Sequence, residues 1–458
     1  MNLRFLLALW AGKTVLSYYK RKGRRQSDQP GVWARHLCPD FLKYVKKPPL
    51  TVVVTGTNGK TSLTGLAAAA LSAEGLRVAY NDWGANHHAG LIRCMLDAVD
   101  LFGRVRVDAA LLECDELIIQ TDLPLIRPDF LVVNNLARDS MFRNAHPGFV
   151  AGRIRAGVEQ TPQTRLILNG DDPLLAELGE GRRVVFGVEA PLPDAPQTLI
   201  DDFSVCPHCG GKIEYARRID RQLGLFSCPR CGFASPGKDF TVTRIGEHSL
   251  CLREREGEFT YPLPSPFLHQ IYNTTAVIAL LRAAGRAPEQ IARALSQASL
   301  PECRETATRE GGCTIYTQIC KSQNPTGVST AFRGVREAPG EKEILFLVDE
   351  DHPGGHSVEP TSYLYDSDYE LLNHPSIRRI VLVGERSLDQ KLRLLLAGVP
   401  EERIVCRFAL EGAENDLLLD REESIYILHD VYCVTRARRA RGAVAARIAR
   451  ERSGQHEN

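Results

Sequence analysis

Short runs of β-branched and aliphatic residues recur along the first part of the chain, at Thr51 to Val54, Ala109 to Leu112, Phe130 to Val133, Leu166 to Leu168 and Val184 to Phe186. Uninterrupted apolar runs of strand length, separated by helix-like stretches, predict a parallel α/β sheet buried on both faces. From Phe240 to Leu263 apolar and polar residues alternate, which predicts antiparallel strands. A helical stretch from Asn273 to Leu295 leads to Leu300-Pro301, after which a second α/β series runs through Ile344 to Val348, Ile380 to Val383 and Ile425 to Leu428. The pattern predicts a helical segment over residues 1–48, an α/β domain over 49–300 and a second α/β domain over 301–458, with the boundary near residue 301.

Composition fits a large soluble enzyme: of 458 residues 43% are hydrophobic and 25% charged, and a net charge of +1 gives no global reason to expect nucleic acid or a membrane as a partner, specific nucleic acid least of all. The apolar start Met1 to Trp10 is broken by Arg4 and Lys13, lacks a cleavage site and falls short of the roughly 20 residues a membrane span needs. A cytoplasmic location is therefore expected. Leu6, Leu9, Trp10 and Val15 suit an amphipathic helix, and the basic run Lys20 to Arg25 follows it. That segment suits either peripheral contact with an anionic inner membrane surface or docking on the neighbouring domain with a solvated basic loop. At the other end, seven arginines interleaved with alanines from Arg436 to Arg452 predict a basic helix. It is either solvated or drawn non-specifically to phosphate.

The apolar run Leu50 to Val54 empties into Thr55-Gly56-Thr57-Asn58-Gly59-Lys60-Thr61, and the apolar run Leu63 to Leu71 follows. Strand, glycine turn and helix in that order make a phosphate-binding loop, which predicts ATP. Gly56, Thr57, Asn58 and Gly59 let backbone N–H groups close on phosphate, Lys60 supplies a charge for the terminal phosphates, and the Thr61 hydroxyl suits Mg²⁺. Glu113 ends the apolar run Ala109 to Leu112, at the strand edge where open α/β sheets bind ligands, and is the candidate carboxylate for Mg²⁺. Asp115 and Glu116 are its rivals.

Four of the 13 cysteines form two Cys-Pro-x-Cys-Gly knuckles, Cys206/Cys209 and Cys228/Cys231, with eighteen residues between the pairs. Such spacing predicts a closed, structural Zn²⁺ site in a ribbon inserted at about residues 202–236, with Gly210 and Gly232 taking left-handed backbone. The other cysteines are scattered and read as reduced thiols.

These motifs resemble those of the Mur ligase family. Besides the phosphate loop, Asn81 to Asn86 is similar to N-x-x-G-A-N, Asn135 to Asp139 to N-L-F-R-D, and Leu168 to Pro173 to L-N-A-D-D-P. The four-cysteine insertion precedes Tyr272-Asn273 as in one subfamily, and the likeness is close over about residues 1–330. It implies a Mur-ligase-like P-loop ATPase domain with a zinc-ribbon insertion, followed by a second Rossmann-like α/β domain. It also implies that ATP and Mg²⁺ activate a carboxylate as an acyl phosphate for attack by an amine. On this resemblance Lys60 and Glu113 are catalytic, Asp172 sits near the nucleotide, Asn273 contacts adenine unless it is a helix cap, and Arg304 contacts the γ-phosphate.

The subfamily amidates the D-glutamate of a lipid-linked peptidoglycan precursor, lipid II, with ammonia from a GatD-like glutamine amidotransferase subunit. Here the chain departs from the pattern. Lys321 to Gly327 carries two extra residues relative to K-N-P-A-G, with an ordinary turn as the other reading. The aspartate that would complete the glutaminase triad falls on Pro360, which leaves the adjacent Glu359, with Asp366 as the alternative, to substitute for it. Asp349 to His356 is an acidic, histidine-bearing loop, read as exposed or as a metal or substrate site. Three other functions stay open: an amide ligase using another amine, a non-catalytic ATP-binding scaffold, and a nucleic-acid-binding ATPase.

Overall fold

The computed structural model describes residues 2–23, 27–81, 85–139, 146–192, 201–298, 305–320, 324–348, 361–420, 424–430 and 433–453. The chain divides into two compact units, one of Met1–Ala137, His146–Ala195 and Asp202–Pro301, the other of Glu302–Asn458 with the short segments Arg138–Ala145 and Pro196–Asp201.

The first unit opens with helices α1 (Leu3–Arg21), α2 (Gln29–Leu37) and α3 (Phe41–Tyr44). Strands and helices then alternate: β1 (Leu50–Thr55), α4 (Lys60–Ala73), β2 (Val78–Tyr80), α5 (His88–Ala98), β3 (Ala109–Glu113), α6 (Ile119–Ile126), β4 (Phe130–Val133), α7 (Pro147–Glu159), β5 (Arg165–Asn169) and β6 (Arg183–Val188). A hairpin of β7 (Glu214–Asp220) and β8 (Leu223–Ser227) follows, then β9 (Phe240–Ile245), β10 (Ser249–Glu254), β11 (Gly257–Pro262), α8 (Leu268–Ala283) and α9 (Pro288–Gln297).

Nine strands form one sheet in the order β11-β10-β9-β6-β5-β4-β1-β3-β2. It is parallel from β2 to β9 and antiparallel over β9 to β11. Residues alternate between two cores, as strands covered on both faces must. Val53, Leu112, Leu131 and Leu168 join the helices α1, α2, α5 and α7, while Val52, Val54, Leu111, Val132 and Ile167 join α4, α8 and α9. The chain reverses direction across the sheet at β1, which lies between β3 and β4, so the carboxyl ends of these three strands frame the crevice where open sheets bind ligands.

Helix α1 is a docked helix with two apolar faces. Phe5, Ala8, Leu9 and Leu16 enter the core, whereas Leu3, Leu7, Trp10 and Tyr18 face solvent on the opposite side. Trp10, grouped in sequence with the inward Leu9, thus points outward, and its indole N–H donates to the Leu101 carbonyl at 2.9 Å. The stretch Asn273 to Leu295 is two helices rather than one, because Gly285 takes left-handed backbone (φ +85°) and Pro288 starts a new helix. Helix α8 has no wet side: every residue from Gln270 to Leu281 is buried. The hairpin β7/β8 lies outside the main sheet, between β6 and β9 in sequence.

The second unit holds β12 (Glu305–Glu310), β13 (Cys313–Ile319), α10 (Pro325–Glu337), β14 (Lys342–Leu347), β15 (Ile377–Val383), α11 (Ser387–Leu396), β16 (Ile404–Arg407), β17 (Ser424–His429) and α12 (Val434–Ser453). Six strands pair in the order β12-β13-β17-β14-β15-β16, parallel apart from β12 with β13. The arginine-rich α12 is not simply solvated. Ala437, Ala440, Val444 and Ile448 recur at helical spacing and are buried, and the Arg447 guanidinium donates to the Leu417 carbonyl at 2.9 Å.

Candidate active site

The phosphate loop leaves β1 at Gly56 and enters α4 at Lys60. Gly59 must be glycine on two grounds: its φ is +85°, and a Cβ there would stand 2.4 Å from Asn273 Oδ1 and 2.9 Å from Asn134 Nδ2. Gly56 (φ +124°) is pressed as closely, with the Asn135 carbonyl oxygen 2.9 Å from where its Cβ would be. The loop's shape is fixed from outside by the segment after β4. Thr57 N–H donates to Asn135 O at 2.8 Å, Asn58 N–H to Asn135 Oδ1 at 3.1 Å, and Ala137 N–H to Thr57 Oγ1 at 2.9 Å. Thr57 and Asn58, expected to cradle phosphate with their amides, therefore spend those amides on the loop's own geometry. The N–H groups of Thr61 and Ser62 in the first turn of α4 have no intrahelical acceptor. They also lie at the positive end of the helix dipole.

Lys60 is already engaged. Its ammonium donates to Gly56 O at 2.5 Å and pairs with Glu116 at 2.6 Å. Glu116 is almost fully buried, and burial raises its pKa while the nearby Lys60 pulls it down. The three acidic rivals at the end of β3 thus separate by what they hold. Glu116 holds Lys60, and Asp115 accepts from Leu117 N–H at 3.0 Å. Glu113 stands opposite Val54 in the β1/β3 register, its Oε1 faces Asn86 Nδ2 at 3.4 Å, and its buried Oε2 has no hydrogen-bond partner among the described residues. A buried carboxylate oxygen left without a donor fits a hard cation such as Mg²⁺.

Asn81 fixes Glu113 from behind, accepting from its N–H at 2.8 Å and donating to its carbonyl at 2.9 Å. Asn81 and Asn86 thus position Glu113. Sequence reasoning missed Asn81, Asn86 and Asn135 as positioning residues because their partners lie 27 to 77 residues away.

Asn273 lies inside α8 rather than at its start, so the cap reading does not hold. Its side chain is fully buried against Gly59, with Oδ1 accepting from Asn134 Nδ2 at 2.9 Å and Nδ2 unpartnered among the described residues. Asp172 is equally enclosed. Its carboxylate accepts from Leu136 N–H at 2.7 Å and Leu174 N–H at 3.0 Å, and burial outweighs these bonds to push its pKa up to about 7. It clamps the Asn135–Ala137 segment instead of reaching an open surface. Asp171 beside it meets Lys238 at 2.7 Å, Tyr272 OH at 2.9 Å and Val188 N–H at 2.8 Å.

Cys206, Cys209, Cys228 and Cys231 converge, their sulfurs all within 4.8 Å of one another. Sγ pairs of 3.5 Å, Cys206 with Cys231 and Cys209 with Cys228, approach the spacing of about 3.8 Å that Zn–S bonds of about 2.3 Å give in a tetrahedron. The knuckles repeat one design. Cys206 N–H donates to Gly211 O and Cys228 N–H to Phe233 O, both at 2.7 Å, and Gly210 (φ +67°) and Gly232 (φ +80°) take the expected left-handed turn. The donor set fits a structural Zn²⁺.

In the second unit Asn324 caps α10, its side chain accepting from Gly327 N–H at 2.7 Å with Pro325 at the first helical position. Arg304, Lys321, the loop Asp349 to His356, Glu359 and Pro360 lie outside the described residues.

Residues 322–433 match the family described as MurT ligase C-terminal. The chain is 28% identical over 415 residues to the MurT subunit of the glutamine-hydrolyzing lipid II isoglutaminyl synthase of Streptococcus pneumoniae (strain ATCC BAA-255 / R6), covering 88% of this chain and 89% of the relative. It is 26% identical over 416 residues to the corresponding subunit of Staphylococcus aureus (strain COL), covering 88% and 91%. Among solved structures, a pseudomurein peptide ligase type C from Methanothermus fervidus superimposes with a TM-score of 0.65 at 17% identity, over 89% of this chain and 81% of that one. That last likeness bears on the fold alone. The likeness runs over about nine-tenths of both curated subunits and takes in the family match at residues 322–433: the chain is similar to the MurT subunits throughout and is an ATP-dependent amide ligase.

Proposed function

We propose that the protein uses ATP to activate the D-glutamate carboxylate of lipid II and passes it to ammonia released by a glutamine amidotransferase subunit. The observation that carries the chemistry is Glu113, opposite Val54 at the strand end that leads into the phosphate loop, whose Oε2 is buried without a donor among the described residues. The substrate carboxylate oxygen attacks the γ-phosphorus, ADP leaves, and the acyl phosphate then loses phosphate to the incoming amine. Lys60 and the α4 amides hold the phosphates in line; Thr61 and Glu113 would hold Mg²⁺, which when bound neutralises charge on the phosphate oxygens. Asn273 and Asp172 act by shaping the loop and its neighbour, and Arg304 contributes a γ-phosphate contact. Cys206, Cys209, Cys228 and Cys231 would hold one structural Zn²⁺.

The amine source is tested by assaying one preparation, with the cognate glutaminase, on lipid II with glutamine or with ammonium, and recording product mass. Glu359, the substitute for the lost triad aspartate, fixes the tautomer of the glutaminase histidine in this reading. Glu359→Gln is expected to lose glutamine-dependent amidation and keep the ammonium reaction. Survival of both activities removes Glu359 from the triad. No product from the wild type with either nitrogen source removes amidation and favours another amine or a scaffold.

The lipid-linked substrate also calls for approach to the cytoplasmic face of a membrane. No helix among the described residues is long and apolar enough to cross one. The outward face of α1 supports a peripheral contact: Leu3 is 69% exposed and Trp10 45%, with Phe102 at 67% on the loop that Trp10 bonds, and Lys20, Arg21 and Lys22 close the helix. Apolar residues beside clustered cations suit an anionic lipid surface. Co-flotation with vesicles containing phosphatidylglycerol, absent with pure phosphatidylcholine, is the expected result. The Trp10→Ser/Phe102→Ser variant should lose flotation and retain ATP turnover; flotation unaffected by these substitutions rejects the surface.

A further inference from the structure

We infer that the cysteine ribbon is a brace for the phosphate loop, with Gln222 as the positioning residue that transmits ribbon metal loading to nucleotide affinity. This rests on the reading of the Gly56–Thr61 loop as the nucleotide site. The turn between β7 and β8 is Arg221-Gln222, and hairpin turns ordinarily face water. This one is driven inward: Gln222 is 2% exposed and Arg221 3%. The Gln222 amide Nε2 donates to the Leu136 carbonyl.

Leu136 is the middle of the segment that shapes the phosphate loop. Its N–H is held by Asp172 at 2.7 Å, while its neighbours Asn135 and Ala137 bond Thr57 and Asn58. Hydrogen bonds at both ends of the short backbone segment Asn135–Ala137 therefore link the hairpin turn to the amides of Thr57 and Asn58. Two further ties hold the insertion to the same wall, Gly224 N–H to Asp171 O at 2.9 Å and Lys238 to the Asp171 carboxylate at 2.7 Å.

The turn end of the hairpin joins the main core through Ile219 and Leu223, and Arg217 bonds the Val188, Glu189 and Ala190 carbonyls; the support at the knuckle end is slight. Its apolar cluster consists of Phe203, Ile213, Phe226, two of the cysteines and Ala176, with Phe233 and Tyr215 packed against it. A cluster of that size does not hold a fold unaided, so the four thiolates and their metal are what order the knuckles against the hairpin whose turn carries Gln222. The loop's amides depend on a contact the insertion supplies.

The test uses the full chain and Mg·ADP as probe, with zinc content measured on every sample. Gln222→Leu keeps the side chain's bulk but cannot donate, and Gln222→Asn keeps the amide but is too short. Each is expected to retain one zinc per chain, to weaken Mg·ADP binding about tenfold and to speed amide hydrogen exchange at residues 134–138 and 56–60. Removing zinc from the wild type should weaken Mg·ADP to a similar degree, and removing it from Gln222→Leu should add little. Unchanged exchange at 134–138 in both zinc-loaded variants overturns the proposal, as does a chain that carries no zinc. So does a loss on zinc removal that is equally large with and without Gln222. Exchange needs no nucleotide, so a wild type that fails to bind Mg·ADP rejects the nucleotide-site reading, while the brace itself is still decided by the exchange rates.

Discussion

Lys60→Ala is expected to lower ATP turnover by about a hundredfold or more, because it removes the one side-chain cation placed at the start of α4 among the described residues of the loop. ADP release measured with saturating substrate checks this, and turnover near the wild-type rate would falsify the site. The variant also has a structural cost that sequence alone does not reveal. Glu116 is buried and paired with Lys60, so deleting the lysine strands a carboxylate whose pKa burial already raises. A raised carboxyl pKa favours the folded state below the group's ordinary value of 4.5, an advantage lost as pH rises through the folded value. Lys60→Ala should therefore melt lower than wild type at neutral pH, with the deficit shrinking as pH falls toward that range. The double variant Lys60→Ala/Glu116→Gln should recover stability but not turnover. Equal melting temperatures of single and double variants at neutral pH would remove Glu116 from the account.

Glu113→Gln should raise the Mg²⁺ concentration for half-maximal turnover by at least about tenfold, since it removes the charge from the carboxylate oxygen that lacks a donor among the described residues. Little change in melting temperature should accompany it, because Asn81 bonds the Glu113 backbone and not its carboxylate. Titrating Mg²⁺ at fixed ATP decides the matter. A normal curve for Glu113→Gln, with a shifted one for Asp115→Asn, would transfer the role to Asp115.

Most strands of the parallel sheet were legible because each has a short, mainly apolar centre, as burial on both faces demands. The three-residue edge strand β2 was not, since Val78-Ala79-Tyr80 is too brief to carry a period. In the second unit the paired β12 and β13 were missed as well, because Glu305–Glu310 is polar and takes its strand form from a neighbour. Glycines, Lys60 and the cysteine knuckles were readable because turn geometry and thiolate chemistry confine them to local spacings. What stayed hidden is the network of side-chain amides. Asn81 on Glu113, Asn135 on Asn58 and Gln222 on Leu136 join residues 32 to 86 positions apart, and no local pattern reports such a partner.

Helix α8 binds two distant parts of the chain to a single rod: Asn273 abuts Gly59, and Tyr272, one residue earlier, reaches Asp171. Having no wet side, it also has no tolerant side. A methyl group gained or lost at Ile278 or Leu281 would be accommodated less by local slack than by rotation or sliding of the whole rod, which shifts both contacts at once. Sequence drift in this helix is thereby coupled to nucleotide chemistry at positions that touch no ligand, and relatives should exchange its residues in volume-compensating sets rather than singly.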